Sequence, residues 1–205
     1  MRTLVIECAT EACSVALLDN GDLVASDHKV LGRGHAERLV PMIAGLPQNG
    51  RADRIAVSLG PGSFTGVRVG IAAARALGVA WDVPVVGFST LALVAATARY
   101  RYQGQPVSVA MTGGHGEWFF NNFGADGLPE ACDITLHPDD LAAQTVHHVI
   151  AGTQAEKLAE LRGDGISAML HPDAKYFPLI PRTLISDDVT PRYGRPPDAS
   201  LPPGA

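Results

Sequence analysis

A glycine-rich segment, residues 60–68, has the residue types and spacing best suited to chemistry. It reads Gly-Pro-Gly-Ser-Phe-Thr-Gly-Val-Arg and joins a predicted strand to a predicted helix. Glycines let backbone N–H groups converge on one concavity, and a helix N-terminus adds partial positive charge, so such a loop suits an anion. The residues expected to line it are Gly60, Gly62, Ser63, Thr65, Gly66 and Arg68. A tight strand-to-helix turn without a ligand is the alternative, because glycines also serve close packing.

The spacing of this loop excludes two familiar phosphate-binding signatures. A P-loop needs Gly-Lys-Ser/Thr before its helix, whereas Gly66 is followed by Val67 and Arg68. The dinucleotide fingerprint needs a different glycine spacing in an early β-α-β unit, whereas this chain opens with a predicted hairpin.

A second polar turn, residues 7–14, lies between the first two predicted strands. The hydroxyl of Thr10 and the backbone amides of the turn are suited to phosphate. Glu7, at the end of the strand, is suited to holding a water molecule on Mg²⁺. An ordinary hairpin connection is the alternative, and the residues alone favour it.

Complete catalytic and metal-binding constellations are missing from the sequence. No two of the seven histidines are four residues apart, so no His-x-x-x-His pair can chelate from one helical face. Ser63 is not part of a Gly-x-Ser-x-Gly elbow, and no base or orienting acid is placed to activate it. The three cysteines include no Cys-x-x-Cys pair and are expected to be reduced thiols. We therefore predict neither a catalytic residue nor a metal ligand.

The helix predicted after the glycine loop carries a stripe of small residues. Gly70, Ala74 and Gly78 recur every four residues and therefore share one face. Such a stripe lets another backbone approach closely. Packing against the chain's own sheet and packing against a partner helix both fit this spacing.

The two halves of the chain show a similar order of predicted elements. The first half reads β-β-β-α-β-α-β-α, with strands at 3–7, 14–18, 23–30, 54–59 and 85–87 and helices from 35 to about 46, at 67–80 and at 89–98. The second half resembles a reduced echo, with strands at 107–111, 117–123, near 134 and at 147–150 and helices at 138–144 and 155–161. We divide the chain into a first subdomain (1–99), a linker (100–106), a reduced second subdomain (107–189) and a proline-rich tail (190–205) expected to be irregular.

Composition narrows the function classes. Of 205 residues, 46% are hydrophobic and 18% charged, which is enough apolar material for a folded core. The net charge of −5 and the scattered basic residues argue against direct nucleic-acid binding. No apolar run is long enough to span a membrane, and the N-terminus lacks the features of a signal peptide. We expect a cytoplasmic protein.

Three segments resemble the TsaB (YeaZ) family, bacterial subunits of tRNA threonylcarbamoyladenosine biosynthesis. They are Cys-Ala-Thr-Glu-Ala-Cys-Ser-Val-Ala at 8–16, His-Ala-Glu-Arg-Leu-Val-Pro at 35–41 and the glycine segment at 60–68. Val-Gly-Phe-Ser-Thr-Leu at 86–91 also fits, so the resemblance covers the first 95 residues or so. The chain departs from the family at Glu7, where Asp is common, and in the hairpin at 111–118, which keeps only Gly116, Glu117 and an aromatic residue.

The resemblance implies an α/β fold of the actin-like ATPase (ASKHA) type, with two subdomains that are each a mixed sheet flanked by helices. It implies a non-catalytic scaffold that works with TsaD and TsaE. TsaD transfers threonylcarbamoyl from threonylcarbamoyl-AMP to N6 of adenosine 37 in tRNAs that read codons starting with A.

The resemblance also implies partners. The helices near 35–46 and 67–80 are expected to pack against TsaD in a heterodimer, or against a second copy when TsaD is absent. On this basis a partner interface becomes the favoured interpretation of the stripe. The expected contact residues are His35, Leu39, Val67, Gly70, Ile71, Ala74 and Gly78.

No tightly bound cofactor is expected, only weak binding of ATP or ADP with Mg²⁺ at the interface, and tRNA is contacted only indirectly. The alternative function is a stand-alone actin-fold, ATP-dependent transferase or kinase.

Overall fold

The structure is a computed structural model that describes residues 1–194, and it contains two five-stranded mixed sheets. The strands of the first sheet are β1 (Arg2–Glu7), β2 (Ala12–Asp19), β3 (Asp22–Val30), β4 (Arg54–Ser58) and β5 (Val85–Phe88). The strands of the second are β6 (Val107–Thr112), β7 (Trp118–Phe123), β8 (Ile134–Leu136), β9 (Val149–Ala151) and β10 (Ile166–Ala168). The predicted strands are present with small shifts at their ends, and β10 is an additional strand that the sequence did not indicate.

The first sheet has the strand order β3-β2-β1-β4-β5. Strands β1, β2 and β3 are antiparallel neighbours, as short connections require. The predicted hairpin turn is present, because Asn20 and Gly21 both adopt positive φ angles, 53° and 95°. Strands β4 and β5 add in parallel beside β1 through helical crossovers.

The second sheet repeats this pairing scheme. Its order is β10-β9-β6-β7-β8. Strand β6 is antiparallel to β7 and parallel to β9, as β1 is to β2 and β4. The predicted echo between the halves is therefore present in the strand topology.

In the described part of the chain, five α-helices connect these strands: α1 (His35–Ala44), α2 (Phe64–Trp81), α3 (Thr90–Arg101), α4 (Pro138–Gln144) and α5 (Ala155–Arg162). Helix α2 begins earlier than predicted, because Ser63 caps it by accepting a hydrogen bond from the Gly66 N–H group. Thr65 and Gly66 are therefore helical residues and do not belong to the loop. Ser89 caps α3 as predicted, but α3 extends to Arg101, so the predicted linker 100–106 begins inside a helix.

Helix α3 lies in the core between the two sheets. Each residue from 90 to 98 is buried, which is typical of a helix enclosed on all sides. One apolar cluster joins residues of both sheets to α3, including Val5, Phe88, Val109 and Phe123. A second cluster packs α1 and α2 on the other face of the first sheet.

The C-terminal part of the described chain contacts both halves of the molecule. It contains two short 3-10 helices, Ala174–Leu179 and Arg182–Leu184, which the sequence did not indicate. Ser186 then pairs with Gly87 at the edge of the first sheet. Residues 190–194 have no regular structure, and the rest of the predicted tail, 195–205, lies outside the described residues. Within residues 1–194, no helix is both long and apolar enough to cross a membrane.

Candidate functional site

The glycine loop packs directly on the turn between β1 and β2. A Cβ atom added to Gly62 would lie 2.0 Å from the carbonyl oxygen of Ala9, and one added to Gly66 would lie 2.2 Å from that of Cys8. The Ser63 N–H group donates to the Ala9 oxygen at 2.6 Å. The glycines therefore permit a close contact between two backbone segments, and this contact occupies the space beside them.

Glu7 lies beneath this contact in a buried polar cluster. Its Oε1 accepts a hydrogen bond from the Ala9 N–H group at 2.7 Å, and its Oε2 accepts one from the Thr90 hydroxyl at 3.5 Å. The Ser58 and Thr90 hydroxyls are 2.7 Å apart, and the Gly60 N–H group donates to the Ser58 hydroxyl at 3.3 Å. The cluster joins the ends of β1 and β4 to the start of α3.

Burial changes the acidity of Glu7. Removal of the carboxylate from water raises its pKa from 4.5 to about 7, although hydrogen bonds from Ala9, Ser58 and Thr90 oppose the shift. Near neutral pH this group can hold or release a proton. Because the carboxyl is wholly enclosed, solvent Mg²⁺ does not reach it in this conformation.

The other residues predicted to line the loop point in different directions. The Thr10 hydroxyl accepts a hydrogen bond from the Ala12 N–H group at 3.2 Å within its own turn. Thr65 is exposed on the first turn of α2. A Cβ atom on Gly60 would lie 2.7 Å from the Arg192 carbonyl oxygen. The structure thus joins Gly60 to the Glu7 cluster but does not gather all the predicted residues around one open concavity.

Arg68 turns away from the loop toward the C-terminal segment. Its Nε donates to the Tyr193 hydroxyl at 2.8 Å, and its guanidinium carbon lies 3.6 Å from the centre of the Phe64 ring. The rings of Phe64 and Tyr193 are 5.1 Å apart. Sequence reasoning missed this cluster, because no local pattern links residues 125 positions apart.

The small-residue stripe of α2 faces the chain's own sheet, which corrects the outward orientation favoured from the resemblance. A Cβ atom on Gly70 would lie 2.8 Å from the Cys8 sulfur, and one on Gly78 would lie 2.6 Å from a Val85 methyl. Ala74 has no exposed surface. Small residues are present here because β1, β4 and β5 pass close beneath the helix.

The other predicted contact residues are also mostly internal. Leu39, Val67 and Ile71 are buried in the same core. His35 is half-buried, with its Nε2 3.3 Å from the Ala12 carbonyl oxygen. Leu39, Val67 and Ile71 are therefore not available for a partner, whereas His35 keeps part of its surface exposed.

The outward faces of α1 and α2 carry a different set of apolar residues. Val79 is 86% exposed, Val40 62% and Phe64 52%. Ala72 and Ala76 are exposed between Phe64 and Val79 on α2, together with the charged residues Arg68 and Arg75. We call the five apolar residues the α1–α2 outer patch. On α2, the helical period places Ala72, Ala76 and Val79 on the face opposite the stripe.

No metal centre is evident in the described structure. Within residues 1–194, no group of three or more His, Cys, Asp and Glu side chains is arranged to hold a metal ion.

Comparisons with known proteins agree with this architecture. A family model described as TsaD, tRNA N6-adenosine threonylcarbamoyltransferase, matches residues 28–173. The tRNA threonylcarbamoyladenosine biosynthesis protein TsaB of Escherichia coli K12 is 37% identical over 131 residues, which are 62% of this chain and 56% of that protein. The chain thus matches little more than half the length of this curated relative.

Solved structures extend the similarity over most of the chain. A Pseudomonas aeruginosa protein described as similar to peptidase YEAZ is 30% identical, with a TM-score of 0.73 over 87% of this chain and 89% of that one. The ethanolamine utilization protein EutJ of Carboxydothermus hydrogenoformans, at 12% identity and a TM-score of 0.51 over 88% of this chain and 90% of that one, shares the fold alone. The expected actin-like ATPase fold, with two mixed sheets flanked by helices, is confirmed.

Proposed function

The chain belongs to the TsaB/YeaZ family, within the wider family described as tRNA N6-adenosine threonylcarbamoyltransferase, and from this premise we propose that it is a non-catalytic subunit of tRNA threonylcarbamoyladenosine biosynthesis. In this role it holds the catalytic subunit TsaD, and with it TsaE, in a working assembly. TsaD then transfers threonylcarbamoyl from threonylcarbamoyl-AMP to N6 of adenosine 37 in tRNAs that read codons starting with A.

The observation that carries the proposal is the α1–α2 outer patch. A side chain such as Val79, 86% exposed on a regular helix, gains stability only when another surface removes it from water. Alanines beside it leave room for a partner helix to approach closely. The patch therefore supports a helix-pair interface on this face, formed by the outward residues and not by the stripe.

The partner proposed for this face is TsaD, in a heterodimer. When TsaD is absent, a second copy of this chain offers the same pair of helices and forms a homodimer through a self-complementary contact. Because the chain carries a net charge of −5, tRNA is proposed to reach the assembly through other subunits.

Nucleotide binding is proposed to be weak and to require the interface. In the chain itself, the backbone of Ala9 and Cys8 fills the space beside Gly62 and Gly66, and Glu7 is enclosed. ATP or ADP with Mg²⁺ is therefore expected to bind where the partner completes the site.

The decisive experiment measures threonylcarbamoyladenosine in tRNA from cells depleted of this protein and complemented with variants. Val79→Asp is expected to weaken co-purification with TsaD and to lower the modified nucleoside, because it places a charge in the apolar contact. Val146→Asp is the matched control, since Val146 is 58% exposed elsewhere on the surface. Normal nucleoside levels in depleted cells, or equal behaviour of the two variants, would contradict the proposal.

A stand-alone ATP-dependent transferase or kinase is the second candidate, and Glu7 is the observation that favours it. A buried carboxyl with a pKa of about 7 is typical of groups that move protons in catalysis. Calorimetry of the purified chain with Mg-ATP, followed by an assay for ADP release, separates the two candidates. Tight binding with turnover by the lone chain would replace the scaffold proposal.

A further inference from the structure

A cavity of about 620 Å³ lies between the two halves of the molecule, and none of residues 60–68 lines it. Its walls come from the first turn of α3, from β7, from the loop before β8 and from the C-terminal segment. This volume lies within the range of small-molecule sites, roughly 300–1,000 Å³. The function proposed above gives this cavity no role.

Two side chains of opposite charge, Asp133 and Arg192, line the cavity. The Asn121 side-chain amide, only 2% exposed, donates to Asp133 Oδ1 at 2.7 Å and to the Ala131 carbonyl oxygen at 2.9 Å. A buried amide thus holds the carboxylate in position. On the other side of the cavity, the backbone N–H group of Arg192 donates to the Leu59 carbonyl oxygen at 2.7 Å. This hydrogen bond fixes the backbone that carries the guanidinium group.

The two charges influence each other across the cavity. Partial removal from water raises the pKa of Asp133, while hydrogen bonding by Asn121 and the positive charge of Arg192 oppose the shift. Both side chains are exposed at the wall of the cavity, where the positive charge of Arg192 acts on Asp133. Each charged group is therefore placed to contact a ligand that bridges them.

Apolar side chains form the rest of the wall. Phe123 and Ala92 belong to the buried core and form one wall of the cavity. Leu184, in the C-terminal segment, lines it as well. The cavity thus offers one anion, one cation and an apolar surface between its walls. A polyphosphate is a poor fit, because its several negative charges would meet a single arginine and a fixed carboxylate.

We propose that this cavity binds a small zwitterion of the α-amino acid class. The ligand ammonium group lies at Asp133, its carboxylate at Arg192, and its side chain against Phe123 and Leu184. This site shares no residue with the α1–α2 outer patch, although the Tyr193 ring in its wall lies 5.1 Å from the patch residue Phe64.

The first test is calorimetry of the full chain with L-leucine, L-serine and L-glutamine at millimolar concentration. Isoamylamine and isocaproate serve as leucine analogues that lack the carboxylate and the ammonium group, respectively. We expect saturable binding of at least one amino acid, and at least tenfold weaker binding of the analogues than of leucine, because each loses one charged contact. Binding of ATP but of no amino acid, or equal binding of leucine and both analogues, would overturn the proposal.

The second test uses the variants Asp133→Asn and Arg192→Gln. Each is expected to weaken amino-acid binding about tenfold or more, because one charged contact is lost. Asp139→Asn and Arg51→Gln remove exposed charges outside the cavity and are the matched controls. Circular dichroism checks that every variant is folded. If a variant does not fold, the calorimetry of the unaltered chain with leucine and its analogues still tests the proposal. Undiminished binding by both cavity variants would show that the amino acid binds elsewhere.

Discussion

Gly62 packs so closely on Ala9 that a Cβ atom added to the glycine would lie 2.0 Å from the Ala9 carbonyl oxygen. The neighbouring Ser63 N–H group donates to the same oxygen at 2.6 Å. The turn between β1 and β2 and the loop before α2 therefore form one interlocked unit. Space alone explains the glycine at this position.

Gly62→Ala is expected to lower the free energy of unfolding by about 1–3 kcal/mol, because the new methyl group displaces the Ala9 backbone. Gly114→Ala is the matched control, since nothing lies within 4 Å of its added Cβ atom. Urea unfolding of both variants measures the difference. A loss for Gly62→Ala no larger than that for the control would show that the turn and the loop separate easily.

Ala74→Arg is expected to prevent folding or to destabilise the chain by at least about 3 kcal/mol, because the arginine enters a fully buried position without a partner. Ala72→Arg places the same side chain on the exposed face of α2 and should leave the chain folded while weakening capture of TsaD. Thermal unfolding and co-elution with TsaD measure the two effects. The inward orientation of the stripe would be refuted by a stable, folded Ala74→Arg protein.

The sequence predicted well those elements whose signals are local. Asn20 and Gly21 specify a tight hairpin between β2 and β3, and the Ser89 hydroxyl caps α3. The order of strands and helices along the second half was also predicted as far as α5. Each of these features depends on residues that are neighbours in the chain.

Features that depend on distant packing were missed. The period of Gly70 and Ala74 defines a stripe but not the surface it faces, and the structure places it on the chain's own sheet. Strand β10 has only three residues, two of them exposed, so it carries almost no apolar pattern. The pairing of Arg68 with Tyr193 has no local signature at all.

Tyr193→Phe removes the hydroxyl that accepts a hydrogen bond from Arg68 while keeping the ring that stacks near Phe64. Because the contact is exposed, we expect the free energy of local opening of the C-terminal segment to fall by less than about 1 kcal/mol. Faster hydrogen exchange at the Arg192 N–H group, which donates to Leu59, measures it. Arg68→Ala should increase exchange further, because it also removes the cation–π contact with Phe64.

Arg33→Ala is the control for this pair, since Arg33 is exposed in the turn before α1. Unchanged exchange at Arg192 in both Tyr193→Phe and Arg68→Ala would mean that this cluster does not hold the segment in place.

The pH dependence of stability should reveal the ionisation of Glu7 in the folded chain. Its pKa is raised from 4.5 to about 7 in the folded chain, chiefly by burial. Between these two values the folded state binds more protons than the unfolded state, so the contribution of Glu7 to stability falls as the pH rises. The contribution is constant below about pH 4.5 and again above about pH 7, and the total change across the window is roughly 3 kcal/mol.

Glu7→Gln keeps the shape of the side chain but cannot ionise, so it should remove this fall. The variant is expected to gain stability relative to the natural chain as the pH rises from 5 to 8, by roughly 2–3 kcal/mol. Urea unfolding at a series of pH values measures the difference. Glu37→Gln, which removes an exposed carboxylate on α1, should follow the natural chain throughout. Parallel curves for Glu7→Gln and the natural chain would show that Glu7 ionises with similar ease in the folded and unfolded states, contrary to its enclosure beneath the glycine loop.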